Sequence, residues 1–558
     1  MLNKIKQSEV IRFFGVFAVF FVTFFFLYFS INTLAGGDDQ FFHFRFAYEM
    51  RQNGFFDSFH NFKSLYFSKM AQGDQYFLYY NFLFFVLIIP FTFITPLFLG
   101  IKLYGAVASA LVFTALYYYL RRIRVNYAFW WSMLTVSSIS TGALFRFFTS
   151  RPFVLAPALL LALLLALHKK KYWLVTLISF VYFFWHSSTF FFTSCVAISY
   201  AVFEGFYGKN IDWRNLLWST FGTTLAIGFC YFIGSDFLGF IYDTIFGIYR
   251  ETILGQAVNI PEGQELYKID LFDYVRSSPV FITTLVISVF VFITDYINTK
   301  GKQISMFAPG DREFVGTIFF LTIGFFLGNV AVSARFGDFL VSFGAVFVAL
   351  IISGVINRIK FTDIRVEKSV VLGVFVAIIY MFFASVFSVQ NIIAGGASVE
   401  SMRPVGEWIN NNIPKKSVIY NASWNWFPQL YYHAPDYYYI AGLEPRFLYV
   451  YSHELYFKWK SINDNGYVCA EDGCPSKLSQ SKLMNNKKLK DKWYALEGEE
   501  VADTIIHDFN SHYVVVSKLA NKDLVDLMDH SDRFTKELET ESQYLIYGVL
   551  DKYENKSN

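Results

Sequence analysis

Asp38 and Asp39 are adjacent carboxylates just past the first long apolar stretch, in the run Gly37-Asp38-Asp39-Gln40-Phe41-Phe42-His43-Phe44-Arg45-Phe46-Ala47-Tyr48-Glu49. Acidic pairs at a water-facing membrane edge are natural ligands for a hard divalent cation, Mg2+ or Mn2+. His43 and Arg45 add an imidazole and a guanidinium within a few residues, so the segment carries the groups needed to handle phosphate. On a helix, Asp39 and His43 are four apart and share a face. A Gly-Gly-Asp-Asp turn also caps a helix end without metal, and that solvated reading competes with the chemical one.

Arg146 and Arg151 lie where two apolar stretches meet, in Phe145-Arg146-Phe147-Phe148-Thr149-Ser150-Arg151-Pro152, with Pro152 suited to open the next helix. Arginine this close to hydrocarbon is costly unless it pairs or binds an anion, and snorkelling to headgroup phosphate is the alternative for Arg146. Arg335, in Ser333-Ala334-Arg335-Phe336-Gly337-Asp338, raises the same question, and its simplest structural explanation is a salt bridge to Asp338. His186 interrupts an aromatic stretch at Trp185-His186-Ser187-Ser188, where it either reaches substrate or, more commonly, bonds a backbone carbonyl. The long segment 235–278 includes Asn259-Ile260-Pro261-Glu262-Gly263-Gln264-Glu265, whose acids could meet metal or acceptor or simply be solvated. His433, His453, His507 and His512 lack metal-ligand spacing, and no Walker loop, GxSxG elbow or dinucleotide fingerprint occurs.

The elements that must position these groups are membrane helices. With 558 residues, 55% of them hydrophobic, 69 Phe, only 16% charged residues and a mean hydropathy of +0.38, the chain holds more apolar surface than a soluble core could hide. A net charge of +3 and the lack of a basic aromatic surface argue against nucleic acid as a partner. The first apolar run, 10–34, exceeds a signal-peptide core and has no clear cleavage site, so it reads as a retained helix.

Basic clusters favour the cytoplasmic side: Lys4, Lys6 and Arg12; Arg121, Arg122 and Arg124; Lys169 to Lys171; Lys300 and Lys302; Arg358 and Lys360. Eleven spans satisfy that rule, near 10–34, 100–120, 127–147, 152–168, 172–186, 188–206, 214–234, 279–297, 313–333, 337–356 and 369–389. The apolar stretch 77–99 carries Pro90 and Pro96 and would invert every later cluster, so it reads as interfacial or re-entrant. The expected topology is multi-pass in the plasma (inner) membrane, with the N-terminus cytoplasmic and the Asp38–Asp39 loop, the Arg146–Arg151 turn, His186, 235–278 and Arg335 outside. After about residue 393 charge, Asn and Tyr rise and spans cease, dividing a membrane domain, 1–393, from an extracytoplasmic soluble domain, 394–558. Cys469 and Cys474 are close enough there for a small-loop disulfide, whereas Cys195 and Cys230 fall inside spans.

These features resemble the GT-C superfamily of polytopic glycosyltransferases, and most of all the oligosaccharyltransferase catalytic subunit family. In that family an acidic motif follows helix one, continued by a His-x-Arg pattern and an Asn-Gly pair; Asp38-Asp39, His43-Phe44-Arg45 and Asn53-Gly54 hold those places here. Ile260-Pro261-Glu262 echoes a Glu-bearing motif of a mobile external loop, and Arg335-Phe336 matches a late Arg-Phe pair. Ser423-Trp424-Asn425-Trp426-Phe427-Pro428-Gln429 stands in, in degenerate form, for the tryptophan-rich acceptor motif. Two departures are plain: Thr149-Ser150-Arg151 replaces the expected second acidic motif, and the Trp-Trp-Asp motif that reads a sequon is not intact.

The resemblance implies about 11–13 transmembrane helices, catalytic external loops near 35–99 and 235–278, and a mixed α/β C-terminal domain. It further implies an inverting transfer of a sugar or oligosaccharide from a polyprenyl phosphate or diphosphate carrier to an extracytoplasmic protein, lipid or glycan acceptor. In that scheme Asp39 and Asp38 are catalytic, and Asp38, Asp39 and Glu262 hold the divalent cation. Arg335, Arg151, Arg146, His43 and Arg45 meet the donor phosphate, and His186, Trp424 and Trp426 meet the acceptor. Membrane lipids line the spans. Two rival readings stand beside it: a lipid-linked sugar or solute transporter, and a non-catalytic envelope polysaccharide assembly factor. Charges gathered at one face, rather than at midplane, and the large external domain weigh against transport.

Overall fold

The computed structural model describes residues 2–35, 39–54, 57–58, 62–68, 81–207, 210–234, 236–242, 247, 268–298, 312–358, 364–396, 398–471 and 487–551. Asp38, Glu262 and Cys474 lie outside them. Two compact units emerge, and they do not follow chain order. The first comprises Met1–Gly37, Tyr79–Ile233 and Gln264–Ala397; the second comprises Asp38–Leu78, Gly234–Gly263 and Ser398–Asn558. The division at 393/394 expected from composition assigns 38–78 and 234–263 to the membrane part, whereas contacts group them with the C-terminal residues. Hydropathy is read locally, so it cannot see where a polar loop packs.

The first unit is helical. Among the described residues, seven helices are long and apolar enough to cross a bilayer: Glu9–Phe29, Leu97–Arg122, Ser187–Phe206, Pro279–Ile297, Arg312–Ala331, Phe336–Ile356 and Lys368–Ala394. These coincide with seven of the eleven expected spans, and the chain is a multi-pass membrane protein. Of the remaining four, Trp213–Phe232 is an unbroken helix of 20 residues but less apolar than these seven, and the other three are shorter or broken. The expected span 127–147 splits into Ala128–Ser138 and Thr141–Phe147, because Ile139 turns extended and the Ser140 hydroxyl accepts a hydrogen bond from the Ala143 amide at 3.0 Å, starting a new helix. Thr141–Phe147 then bends by 110° into Pro152–His168. Pro152 has no amide hydrogen to continue the earlier helix, and it opens the next turn as expected. The stretch 77–99 is helical over Phe82–Phe93. At 1.5 Å per residue that is about 18 Å, short of the hydrocarbon thickness of about 30 Å.

The second unit contains a five-stranded mixed sheet built from β1 (Val418–Asn421), β2 (Tyr438–Tyr439), β3 (Ser511–Ser517), β4 (Phe534–Glu539) and β5 (Tyr544–Val549), in the order β2-β1-β3-β5-β4. β1 runs parallel to β2 and β3, while β5 is antiparallel to β3 and β4. Ile419, Tyr420, Val514 to Val516, Leu545 and Ile546 are buried, as a sheet covered on both faces requires. Leu65 forms an isolated parallel bridge with Tyr439, held by Tyr66 N to Tyr439 O at 3.0 Å and Tyr439 N to Ser64 O at 2.8 Å. A piece of the first polar loop thereby extends the sheet at its β2 edge. Cys469 is disulfide-bonded.

Candidate functional site

The candidate residues fall into two sets, one in each unit. In the helical unit, three helix connections converge at one end. Trp185 Nε1 donates to the Pro152 carbonyl at 2.7 Å, tying the His186 turn to the Arg151–Pro152 turn. Ser109 Oγ donates to Phe147 O at 2.7 Å and Ser150 Oγ to Ile101 O at 3.0 Å, which anchors the same turn on helix Leu97–Arg122. Gly105 is required at that crossing: a Cβ there would lie 2.6 Å from the Phe148 carbonyl oxygen. Phe192 packs on Phe336 and Phe339, with ring centroids 5.7 and 4.9 Å away, and brings in the third connection.

Arg146, not Arg335, is the partner of Asp338. Its Nε and Nη2 donate to the two carboxylate oxygens at 2.8 and 2.7 Å, a bidentate pair, and its guanidinium covers the Phe153 ring at 4.5 Å. The expected Arg335–Asp338 bridge is thereby corrected: Asp338 opens the helix that Arg335 precedes, and from there its carboxylate meets the adjacent turn. Arg335 is half-buried. His186 is buried, and its Nδ1 meets the Thr189 hydroxyl instead of a backbone carbonyl. Arg151 is half-buried at the start of the Pro152 turn. Three arginines and a histidine thus share one end of the helical unit.

Two residues at this end escaped sequence reasoning. Asn81 exchanges hydrogen bonds with Ser187, its Oδ1 accepting from Ser187 N at 3.0 Å and its N donating to Ser187 Oγ at 3.2 Å, which locks the His186 turn. Lys102, buried in helix Leu97–Arg122, donates to the Ile31 carbonyl and lies 5.6 and 5.8 Å from the Tyr28 and Phe98 rings. A lysine inside an apolar span is itself the signal that could have found it.

In the second unit, Asp39 is the first residue of helix Asp39–Asn53, where the positive end of the helix dipole favours a carboxylate. The helix is confirmed, so Asp39 and His43 do share a face. Phe42 packs on Phe427 and Tyr431 and Phe41 on Tyr432, docking this helix on helix Phe427–His433. Arg45 Nε bonds Glu49 Oε1 at 3.2 Å, and the Tyr431 hydroxyl donates to the other Glu49 oxygen. Trp424–Trp426 forms a 3-10 turn in which Trp426 is buried edge-on against Tyr544 at 5.5 Å and Trp424 is half-buried. Among the described residues no group of three His, Cys, Asp or Glu side chains could hold a metal ion.

Burial holds the Glu49 carboxyl above the ordinary carboxylate range, and the Tyr431 hydroxyl and Arg45 pull it part of the way back. A folded value above the unfolded one makes this group's contribution to stability largest below the ordinary carboxylate range and has it decline as pH rises through the raised value. Tyr431→Phe removes a stabiliser of the charged form, so the decline should extend to higher pH, with a loss of about 1.5–3 kcal/mol near neutrality. Thermal unfolding across pH checks this; superimposable wild-type and variant profiles would refute it.

No protein-family model matches the sequence, and no characterised protein matches it by sequence. Solved structures do match. The apo oligosaccharyltransferase of Archaeoglobus fulgidus aligns over 97% of this chain and 75% of its own, at 12% identity and a TM-score of 0.58. The same enzyme tethered with an acceptor peptide containing the NVT sequon aligns over 97% and 74%, at 11% identity and a TM-score of 0.56. ArnT from Cupriavidus metallidurans bound to undecaprenyl phosphate aligns over 98% and 99%, at 10% identity and a TM-score of 0.54. The fold of this chain is the fold of these structures.

Proposed function

We propose that the protein is an inverting membrane glycosyltransferase that moves a sugar or oligosaccharide from a polyprenyl phosphate or diphosphate carrier to an extracytoplasmic protein, lipid or polysaccharide acceptor. The single observation that supports it is the fold likeness across nearly the whole chain to an oligosaccharyltransferase solved with an acceptor peptide and to ArnT solved with undecaprenyl phosphate. In an inverting displacement the acceptor heteroatom bonds to the anomeric carbon as the bond from that carbon to the carrier phosphate oxygen breaks. The acceptor proton passes to a carboxylate, and the electron pair leaves with the phosphate.

We assign the proton-accepting role to Asp39, with Asp38 as its neighbour. Arg335 and Arg151 are assigned to the carrier phosphate, where fixed guanidinium charge offsets the negative charge that grows on the leaving group. Arg146 already grips Asp338, so its role is to hold the start of the Arg335-bearing helix rather than to meet the donor. Arg45 is likewise engaged by Glu49 and supports the Asp39 helix; His43 and the tryptophans Trp424 and Trp426 are kept as contacts to substrate. The described donors do not make a metal centre on their own. A Mg2+ or Mn2+ at Asp38, Asp39 and Glu262 therefore rests on the sequence pattern.

Purified protein in nanodiscs, given a radiolabelled polyprenyl-phosphate sugar and acceptor-containing membrane extract, should release free polyprenyl phosphate and label an acceptor. Movement of the intact carrier across a bilayer without cleavage would make it a transporter instead.

A further inference from the structure

The opposite end of the helical unit holds a cavity of about 300 Å³ that the transferase reading does not use. Among the described residues Arg121, Arg122, Arg124 and Lys169 line it with Glu9, Tyr117 and Tyr118, so four cations face one carboxylate. The Arg146–Arg151 turn packs near Ile101 on helix Leu97–Arg122, and Arg121 lies twenty residues further along. That separation is roughly 30 Å, one hydrocarbon thickness.

The cationic groups are arranged, not merely present. Arg121 Nη1 donates to the Tyr117 hydroxyl at 2.9 Å, and Arg122 Nε to the Tyr118 hydroxyl at 2.7 Å, which fixes both guanidinium groups beside the cavity. Glu9 offsets one charge, pairing with Arg122 at 3.0 Å. Sequence distance makes the convergence informative, because residue 9, residues 117–124 and residue 169 arrive from three helices. Basic residues that serve only to orient spans need no shared cavity. Beside Glu9, helix Leu2–Phe29 exposes Val10, Ile11 and Phe14 at 55, 65 and 62% of their surface, an apolar face suited to acyl chains.

We propose that this cavity binds the phosphate of an anionic phospholipid headgroup, with the acyl chains lying along the exposed face of the first helix. Guanidinium groups match phosphate geometry, and the excess of positive charge among the described lining residues selects a lipid with net negative charge over a zwitterionic one. The contiguous apolar face favours a lipid over dissolved phosphate.

Native mass spectrometry of the full-length protein in mixed micelles tests it, with equal phosphatidylglycerol and phosphatidylcholine. Phosphatidylglycerol should be retained preferentially, and Arg121→Gln with Arg124→Gln should weaken its retention about thirtyfold. Glu9→Gln removes the only carboxylate among the described residues of the cavity lining and should strengthen retention, a gain that misfolding cannot mimic. Equal retention of the two lipids, undiminished retention by the double variant, or displacement of phosphatidylglycerol by equimolar inorganic phosphate would each overturn the assignment.

Discussion

Asp39→Asn is expected to lower sugar transfer about 100- to 10,000-fold, the range typical of losing a general base. Expression and thermal unfolding should stay close to wild type. Asn gives up only the dipole's preference for a carboxylate, about 0.3–1 kcal/mol, so helix Asp39–Asn53 keeps its beginning, and the aromatic face that docks it, Phe41 and Phe42, is untouched. What the substitution removes is the anionic oxygen that receives a proton. The readout is free polyprenyl phosphate released per unit time from a labelled carrier, with chelator and with added Mg2+ or Mn2+. Undiminished release by the variant would remove Asp39 from the reaction. Full wild-type activity in chelator would remove the cation while leaving the base assignment standing.

Arg146→Leu should destabilise the helical unit by about 3–5 kcal/mol, because it strands a buried carboxylate. The Asp338 side chain keeps only 6% of its exposure and Arg146 22%, so water cannot replace the lost partner readily. Arg146→Lys should be intermediate, since an ammonium cannot reproduce two parallel bonds to one carboxylate. The double variant Arg146→Met with Asp338→Leu should recover most of the loss, since apolar packing can replace a buried pair. Thermal unfolding in detergent of the two single variants and the double variant gives the coupling directly. Additive losses would mean that Arg146 merely reaches for lipid headgroups, the alternative that its position near hydrocarbon also allowed.

Much of the architecture was legible without coordinates. Uninterrupted apolar runs announced a multi-pass membrane protein, and the rise in Asn, Tyr and charge after residue 393 announced the end of the spans. The acidic pair and the residues four apart behind it stood out because a helix converts spacing into a shared face, and helix Asp39–Asn53 does form. Pro152 marked a helix start by its own covalent geometry. Less legible were the breaks at Ile139 and Ser140, where a capping serine interrupts a stretch whose composition alone would continue.

These features depend on neighbours in sequence, and the chain itself therefore determined them: membrane class, most span positions, and the helix that carries Asp39. Choice of partner did not lie within its reach. Asp338 has Arg335 three residues away yet binds Arg146, 192 residues distant, and Glu49 takes Tyr431 across 382. Coulomb attraction and hydrogen bonding act through space over a few ångströms, and only the packed fold decides which distant side chains come that close.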